Sequence, residues 1–381
     1  MEEDQHNTMA IFNFQGIRIA AMATAMPTHE VRPDDFKEQF GDEEVEKFKK
    51  MTGVISSRKA SYHQTTGDLG YIAAEKLISE KNINKEDIGA LVVSTHSPDY
   101  PRPATAFIVQ KRLGLSRECA CFDISLGCSA VVYGIQVVAS MMMSSNIRKA
   151  LLISGDTGSK SINPRDKSRV MLGGDVGVCL LLERTDNPED KVESLVRSDG
   201  NGYRYLIVPA GGCRNMNPPH EEVMCEDGIE RSLYDAFMRG TSVFTFTVFD
   251  VPRLVKDFLA QTNTTIDDYD CFAFHQANLY ILKQIAKKAK IPEEKMPITL
   301  PKYGNTSGAS PVVSMCDLYG EDTENKEINV MLCGFGIGLS WGVTSFKINT
   351  ADILPIIYDD TVFEEGVIND PNELFKDMSG L

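Results

Sequence analysis

The sequence predicts an α/β fold of layered sheets and helices. Short apolar runs alternate with amphipathic ones from about residue 16 to 348. Several apolar runs, 150–154 and 176–182 among them, lack the in–out alternation of a half-exposed strand and read as strands buried on both faces. A chain of 381 residues is also long for one hydrophobic core, so two domains or two similar halves are expected.

In order, residues 16–24 read as a first strand, ended by Pro27. Residues 34–51 place Phe36, Phe40, Val45 and Phe48 at helical spacing and stop at Gly53. A capped helix follows Thr66-Gly67-Asp68 to Lys81, then a strand at 88–94 and a proline-rich loop at 97–103. Residues 104–113 are helical, 120–124 a strand, 130–143 a long apolar helix. In the second part a strand at 192–197 precedes a Gly/Pro/Asn-rich region to about 220. A helical stretch covers 231–261, with Pro252 marking a kink or break. A strand at 271–274, helices at 277–290 and 307–319, and strands at 328–332 and 339–348 complete the pattern. Residues 349–381 are acidic and aperiodic, and read as a surface tail lying along the body through Ile356, Ile357 and Phe363.

Composition narrows the function classes. With 42% hydrophobic and 24% charged residues the chain is an ordinary globular one, and no run of about 18 apolar residues indicates a membrane span. A net charge of −15 argues against nucleic acid as a partner. The acidic start Met1-Glu2-Glu3-Asp4 is unlike a signal peptide, and nine cysteines, an odd number, suit a reducing cytoplasm. Cys119 and Cys121 have no second Cys or His pair nearby, so no metal site is expected.

Chemistry concentrates in Phe122-Asp123-Ile124-Ser125-Leu126-Gly127-Cys128-Ser129. Cys128 stands where a buried strand turns into the first turn of a core helix. Unpaired N–H groups and the positive end of the helix dipole favour a thiolate there. Gly127 and Ser129 leave room for a substrate to reach the sulfur, although an inert packed thiol fits this stretch alone equally well. His275 follows an apolar strand, and Asn305 lies in Tyr303-Gly304-Asn305-Thr306-Ser307, a loop running into a helix. Singly, these are an ordinary strand-end histidine and turn asparagine. Together, Cys, His and Asn stand at the exits of buried strands, where α/β enzymes gather ligands. Gly334-Phe335-Gly336-Ile337-Gly338 is followed by a strand rather than a helix, which excludes a dinucleotide loop and leaves close backbone approach to the thiol.

Four motifs in this order resemble the thiolase-fold ketosynthases, closest to β-ketoacyl-acyl-carrier-protein synthase III. They are the Cys128 segment, His275-Gln276-Ala277-Asn278-Leu279, Gly304-Asn305-Thr306-Ser307, and Gly334-Phe335-Gly336-Ile337-Gly338-Leu339-Ser340-Trp341-Gly342. The resemblance implies a five-layered αβαβα fold of two similar halves, 1–190 carrying the nucleophile and 191–348 carrying His and Asn, with 349–381 as the tail. It implies a homodimer and an acyltransferase that joins carbon to carbon by decarboxylative Claisen condensation. An acyl primer, from coenzyme A or a carrier thioester, would be held on Cys128 and elongated with malonyl-acyl-carrier-protein in fatty acid or related biosynthesis. The backbone N–H groups of Cys128 and Ile337 would form the oxyanion hole. His275 and Asn305 would donate hydrogen bonds to the malonyl thioester carbonyl, without metal or redox cofactor. Acyl transfer from Cys128 to a different nucleophile stays open as the alternative, and a non-catalytic scaffold is disfavoured by the complete triad.

Some positions depart from the family's pattern. The pair that sandwiches the coenzyme A adenine aligns with Lys47 and Met51, and a further nucleotide-contacting arginine with Lys167. Two positions of the basic patch for acyl carrier protein align with Thr245 and Tyr280, while Lys283, Lys287 and Lys288 keep a local cluster on one helix. Arg102 falls at or beside a residue that closes the partner's acyl pocket, and His96 lies near a position where some relatives carry a catalytic glutamate. A primer differing from acetyl in length or polarity is therefore expected.

Overall fold

The computed structural model describes residues 9–375. Two sheets carry the architecture. One has six strands in the order Ile357–Tyr358, Ile17–Met26, Val176–Arg184, Lys149–Asp156, Ile88–Ser94 and Ala120–Ile124. The other has five: Ala10–Gln15, Lys191–Ser198, Ser340–Asn349, Glu327–Gly336 and Cys271–Phe274.

Two helices lie between the sheets and touch both, Ala130–Met143 and Ser310–Tyr319. Ala130–Met143 can do so because apolar residues surround it: Val131, Val132, Ile135, Val138 and Met142 are all buried. Thr66–Glu80 and Thr105–Leu113 cover the outer face of the six-stranded sheet; Gly240–Thr262 covers the five-stranded one, with Leu279–Ala289 packed against it. The result is the expected αβαβα layering, with both sheets buried on two faces.

Strands between residues 17 and 184 build the first sheet and strands between 191 and 349 the second, except at one edge of each. Ala10–Gln15 pairs antiparallel with Lys191–Ser198 and so belongs to the second sheet, whereas Ile357–Tyr358 joins the first, parallel to Ala25 and Met26. Both exceptions cover an edge that would otherwise present unpaired backbone groups. As far as Phe375 the tail lies along the body; its last six residues, 376–381, fall outside the described residues. Beyond its strand, the Phe363 N–H donates to Asp68, the Arg112 guanidinium stacks 4.7 Å from the Phe363 ring, and Tyr100 donates to the Gly366 carbonyl.

One helix differs from expectation at its start. Residues 230–239 hold the short strands Glu230–Arg231 and Phe237–Met238, and the helix begins at Gly240. It then runs unbroken through the buried Pro252, held to the sheet by Val248, Val251, Leu254, Val255 and Phe258.

Candidate active site

Cys128 follows the strand Ala120–Ile124 and stands two residues before the central helix Ala130–Met143. It lines a cavity of about 310 Å³ together with Asn305, Ser307 and Ile337. The Gly336 backbone presses directly on the thiol: a Cβ there would lie 2.6 Å from the Cys128 Cβ and 2.7 Å from its Sγ. The glycines at 334–338 thus turn a hairpin between Glu327–Gly336 and Ser340–Asn349 against the nucleophile. Gly336→Ala is expected to displace the sulfur and slow its acylation by about 10²-fold, a misplacement effect. Iodoacetamide labelling of Cys128 checks this.

Burial pushes the Cys128 thiol up to about 11, and the Asp156 carboxylate adds to the rise. Opposing it are the backbone N–H groups of Ile337 and Cys128 and the Arg169 guanidinium, all of which favour the thiolate. The two N–H groups are the pair expected for an oxyanion hole. A thiol this high is not the standing thiolate that the helix dipole alone suggested: desolvation outweighs the dipole.

His275 continues the strand Cys271–Phe274, which runs parallel beside Val330–Cys333, and its N–H donates to the Cys333 carbonyl. The side chain is buried, its ring edge-on to Phe335 at 5.2 Å. Its Nδ1 lies 2.8 Å from the carbonyl oxygen of Ser307. A carbonyl only accepts, so Nδ1 carries the proton and Nε2 of the neutral ring is a lone pair. Burial drives the ring's pKa down to about 4, so the neutral form prevails. The resting ring is thus an acceptor at Nε2, and donates from there once it has gained a proton.

Asn305 is pinned from the other half. Its N–H donates to the Leu172 carbonyl and its own carbonyl accepts from Gly174, while its side-chain Oδ1 accepts from the Ser307 N–H at 2.9 Å. Its Nδ2 has one long contact, 3.4 Å to the Ala277 carbonyl, and is available as a donor.

The remaining candidates separate. His96 lines the cavity and is exposed at its rim. Arg102 is exposed on its loop and Lys167 pairs with Glu44, neither of them in the cavity wall. Lys283 and Lys287 are exposed on the helix Leu279–Ala289, and Lys288 lies over the exposed Phe249 ring at 3.5 Å. Sequence reasoning missed Asp156, Arg169 and Asp175, which line the same cavity. Their signal was weak but present: an Asp at the end of an apolar strand, and charges flanking the Gly173-Gly174 turn.

Two family models match, one described as 3-oxoacyl-[acyl-carrier-protein] synthase III over residues 122–200 and one as its C-terminal part over 259–348. The β-ketoacyl-[acyl-carrier-protein] synthase III of Caldanaerobacter subterraneus is 34% identical over 296 residues, 78% of this chain and 87% of the relative. The chain belongs to the β-ketoacyl-acyl-carrier-protein synthase III family. It is therefore an acyltransferase of the ketosynthase class, a condensing enzyme of fatty acid biosynthesis. The crystal structure of a family synthase from Burkholderia xenovorans superposes with a TM-score of 0.85 at 34% identity, covering 92% of this chain and 99% of that one. A priming β-ketosynthase of the R1128 polyketide pathway shares the synthase fold, with a TM-score of 0.77 at 23% identity over 90% of this chain and 97% of its own.

Proposed function

We propose that Cys128 takes an acyl group from a thioester primer and that the enolate left when a malonyl thioester loses CO₂ then attacks this acyl carbonyl, forming the new carbon–carbon bond and displacing the Cys128 thiolate. The observation that carries this is one cavity shared by Cys128, Ile337 and Asn305. His275 is buried behind that wall, outside the lining residues, and is fastened to Ser307, which does line it.

The first half-reaction exchanges thioesters. The Cys128 sulfur attacks the primer carbonyl, the oxyanion meets the N–H groups of Cys128 and Ile337, and the departing thiol takes up a proton. Since the resting thiol is un-ionised, its proton passes to Nε2 of His275 as the sulfur attacks. In the second half-reaction the malonyl carboxylate leaves as CO₂. The electron pair left behind delocalises onto the thioester oxygen, where Asn305 Nδ2 donates a hydrogen bond. The carbanion attacks the acyl–Cys128 carbonyl, the C–S bond breaks, and the thiolate is reprotonated. Decarboxylation supplies the drive, so the substrates are thioesters and the chemistry calls for no metal or prosthetic group.

Carrier docking is assigned to Lys283, Lys287 and Lys288 beside the exposed Tyr280 and Phe249, a basic and aromatic patch on a chain of net charge −15. Reversing the charge in K283E/K287E is expected to raise KM for malonyl-acyl-carrier-protein about tenfold while leaving KM for acyl-coenzyme A unchanged. Initial rates with each substrate varied separately check it. A homodimer fits the edge strand Ala120–Ile124, partly exposed and paired on one side only, and a reducing cytoplasm fits the free thiol nucleophile.

Intact-mass measurement after mixing the protein with acyl-coenzyme A, followed by malonyl-acyl-carrier-protein, tests the proposal. An acyl adduct on Cys128 that disappears with release of one CO₂ supports it. An adduct that transfers without CO₂ release would assign the chain to acyl transfer onto another nucleophile.

A further inference from the structure

The cavity beside Cys128 is lined by a partly buried cation, Arg169, that has no side-chain partner among the described residues. Arg169 lies on the short helix Lys167–Val170 and lines the cavity wall. Its nearest obvious partner, Asp166, is already engaged: Oδ2 accepts from Arg231 at 3.2 Å and Oδ1 from the Ser168 N–H and hydroxyl. Arg231 in turn is shared with Asp227 at 2.8 Å. Among the described residues no hydrogen bond or ion pair reaches the Arg169 guanidinium. Its burial is costly enough to lower its pKa from the ordinary value.

The two carboxylates of the cavity are better served. Asp175 accepts from the Ala60 N–H at 2.8 Å, from the Ser159 N–H at 3.0 Å and from the Ser159 hydroxyl. Asp156 Oδ1 accepts from the Thr95 hydroxyl, the His96 N–H and the Ser97 hydroxyl, leaving only Oδ2 without a donor. The larger unmet demand is therefore for an acceptor next to five N–H donors in a planar fork, which matches a carboxylate in bidentate geometry.

Resting on the reading of Cys128 as the acyl carrier, we infer that the primer is a short acyl group ending in a carboxylate, a dicarboxylic half-thioester, and that Arg169 selects it. The malonyl carboxylate does not fit this role. It must leave as CO₂, and a guanidinium gripping it would stabilise the ground state more than the transition state. The phosphates of coenzyme A do not fit either, since the pantetheine arm holds them away from the thioester, whereas Arg169 lines the same cavity as Cys128.

Single-turnover acylation of Cys128, followed by intact mass, compares succinyl- and glutaryl-coenzyme A with pentanoyl- and hexanoyl-coenzyme A. The wild-type protein should load the first pair at least tenfold faster. Arg169→Met should lose about 10²-fold more on the dicarboxylic primers than on the apolar ones, the scale of a lost charge pair, and Arg169→Lys should recover part of that difference. Equal loading of all four primers by the wild type would overturn the inference and leave the ketosynthase reading intact. A uniform loss across primers in Arg169→Met would assign the arginine to the thiolate, and a loss confined to malonyl decarboxylation would assign it to the extender; either overturns the inference. Failure of every primer to load would sink the acyl–Cys128 reading itself.

Discussion

Cys128→Ser is expected to abolish the acyl-enzyme and to cut condensation by on the order of 10³-fold or more, as loss of a covalent nucleophile does. The substitution is nearly isosteric in a site where Gly336 already touches the sulfur, so the fold should be kept and the thermal transition should stay close to that of the wild type. What disappears is reactivity. A serine hydroxyl has no accessible anion in this pocket, whereas the thiol, pushed up to about 11, can still be ionised as it attacks. If Cys128→Ser retained condensation within a few-fold of wild type, the nucleophile would have to be sought elsewhere. No other thiol lines the cavity, Cys119, Cys121, Cys213 and Cys225 included. Cys179, Cys271, Cys316 and Cys333 are buried within the strands and helices of the core, and burial raises each of them.

The nucleophile was legible in the chain because its requirements are local. A cysteine between small residues, at the junction of a buried strand and an apolar helix, can be recognised from a dozen residues. The same holds for the glycines at 334–338, whose following strand excluded a phosphate loop and whose hairpin now packs on the sulfur. The cavity's character was not local. Asp156, Arg169 and Asp175 come from a strand end, a one-turn helix and a strand entry, and only the folded loops bring them to one wall. The state of His275 was hidden for a similar reason. Its tautomer is set by a carbonyl 32 positions along the chain, that of Ser307. Apolar spacing also misled between residues 231 and 239, where Leu233, Tyr234 and Phe237 suit a helix but the chain folds back as short strands. At the sheet edges, backbone pairing decided the outcome. The termini exchange sides because each sheet has an edge to cover, which no side-chain pattern records.

His275→Ala is expected to slow acylation and condensation by about 10²–10⁴-fold, the range of a lost general acid–base group, and its pH profile separates the two roles open to the ring. With His275 present, Nε2 is an unprotonated acceptor at every pH well above about 4, so wild-type acylation should be nearly flat from pH 6 to 9. Without it the thiol must ionise unaided, and acylation should climb about tenfold per pH unit across the same range, because the thiol is pushed up to about 11. A wild-type profile that already rises with that slope would remove His275 from proton transfer and leave it only a positioning group for the malonyl half-reaction. Stability gives a second reading independent of turnover. The unfolded ring takes a proton near 6.5 and the folded one only near 4, so the unfolded state binds more protons between them and wild-type stability falls as pH drops through that window. His275→Ala removes this component of acid sensitivity, so its melting temperature should fall less steeply than the wild type's between pH 6.5 and 4. Equal slopes would mean that the imidazole is not held neutral by its burial, and the proton-acceptor role would lose its basis.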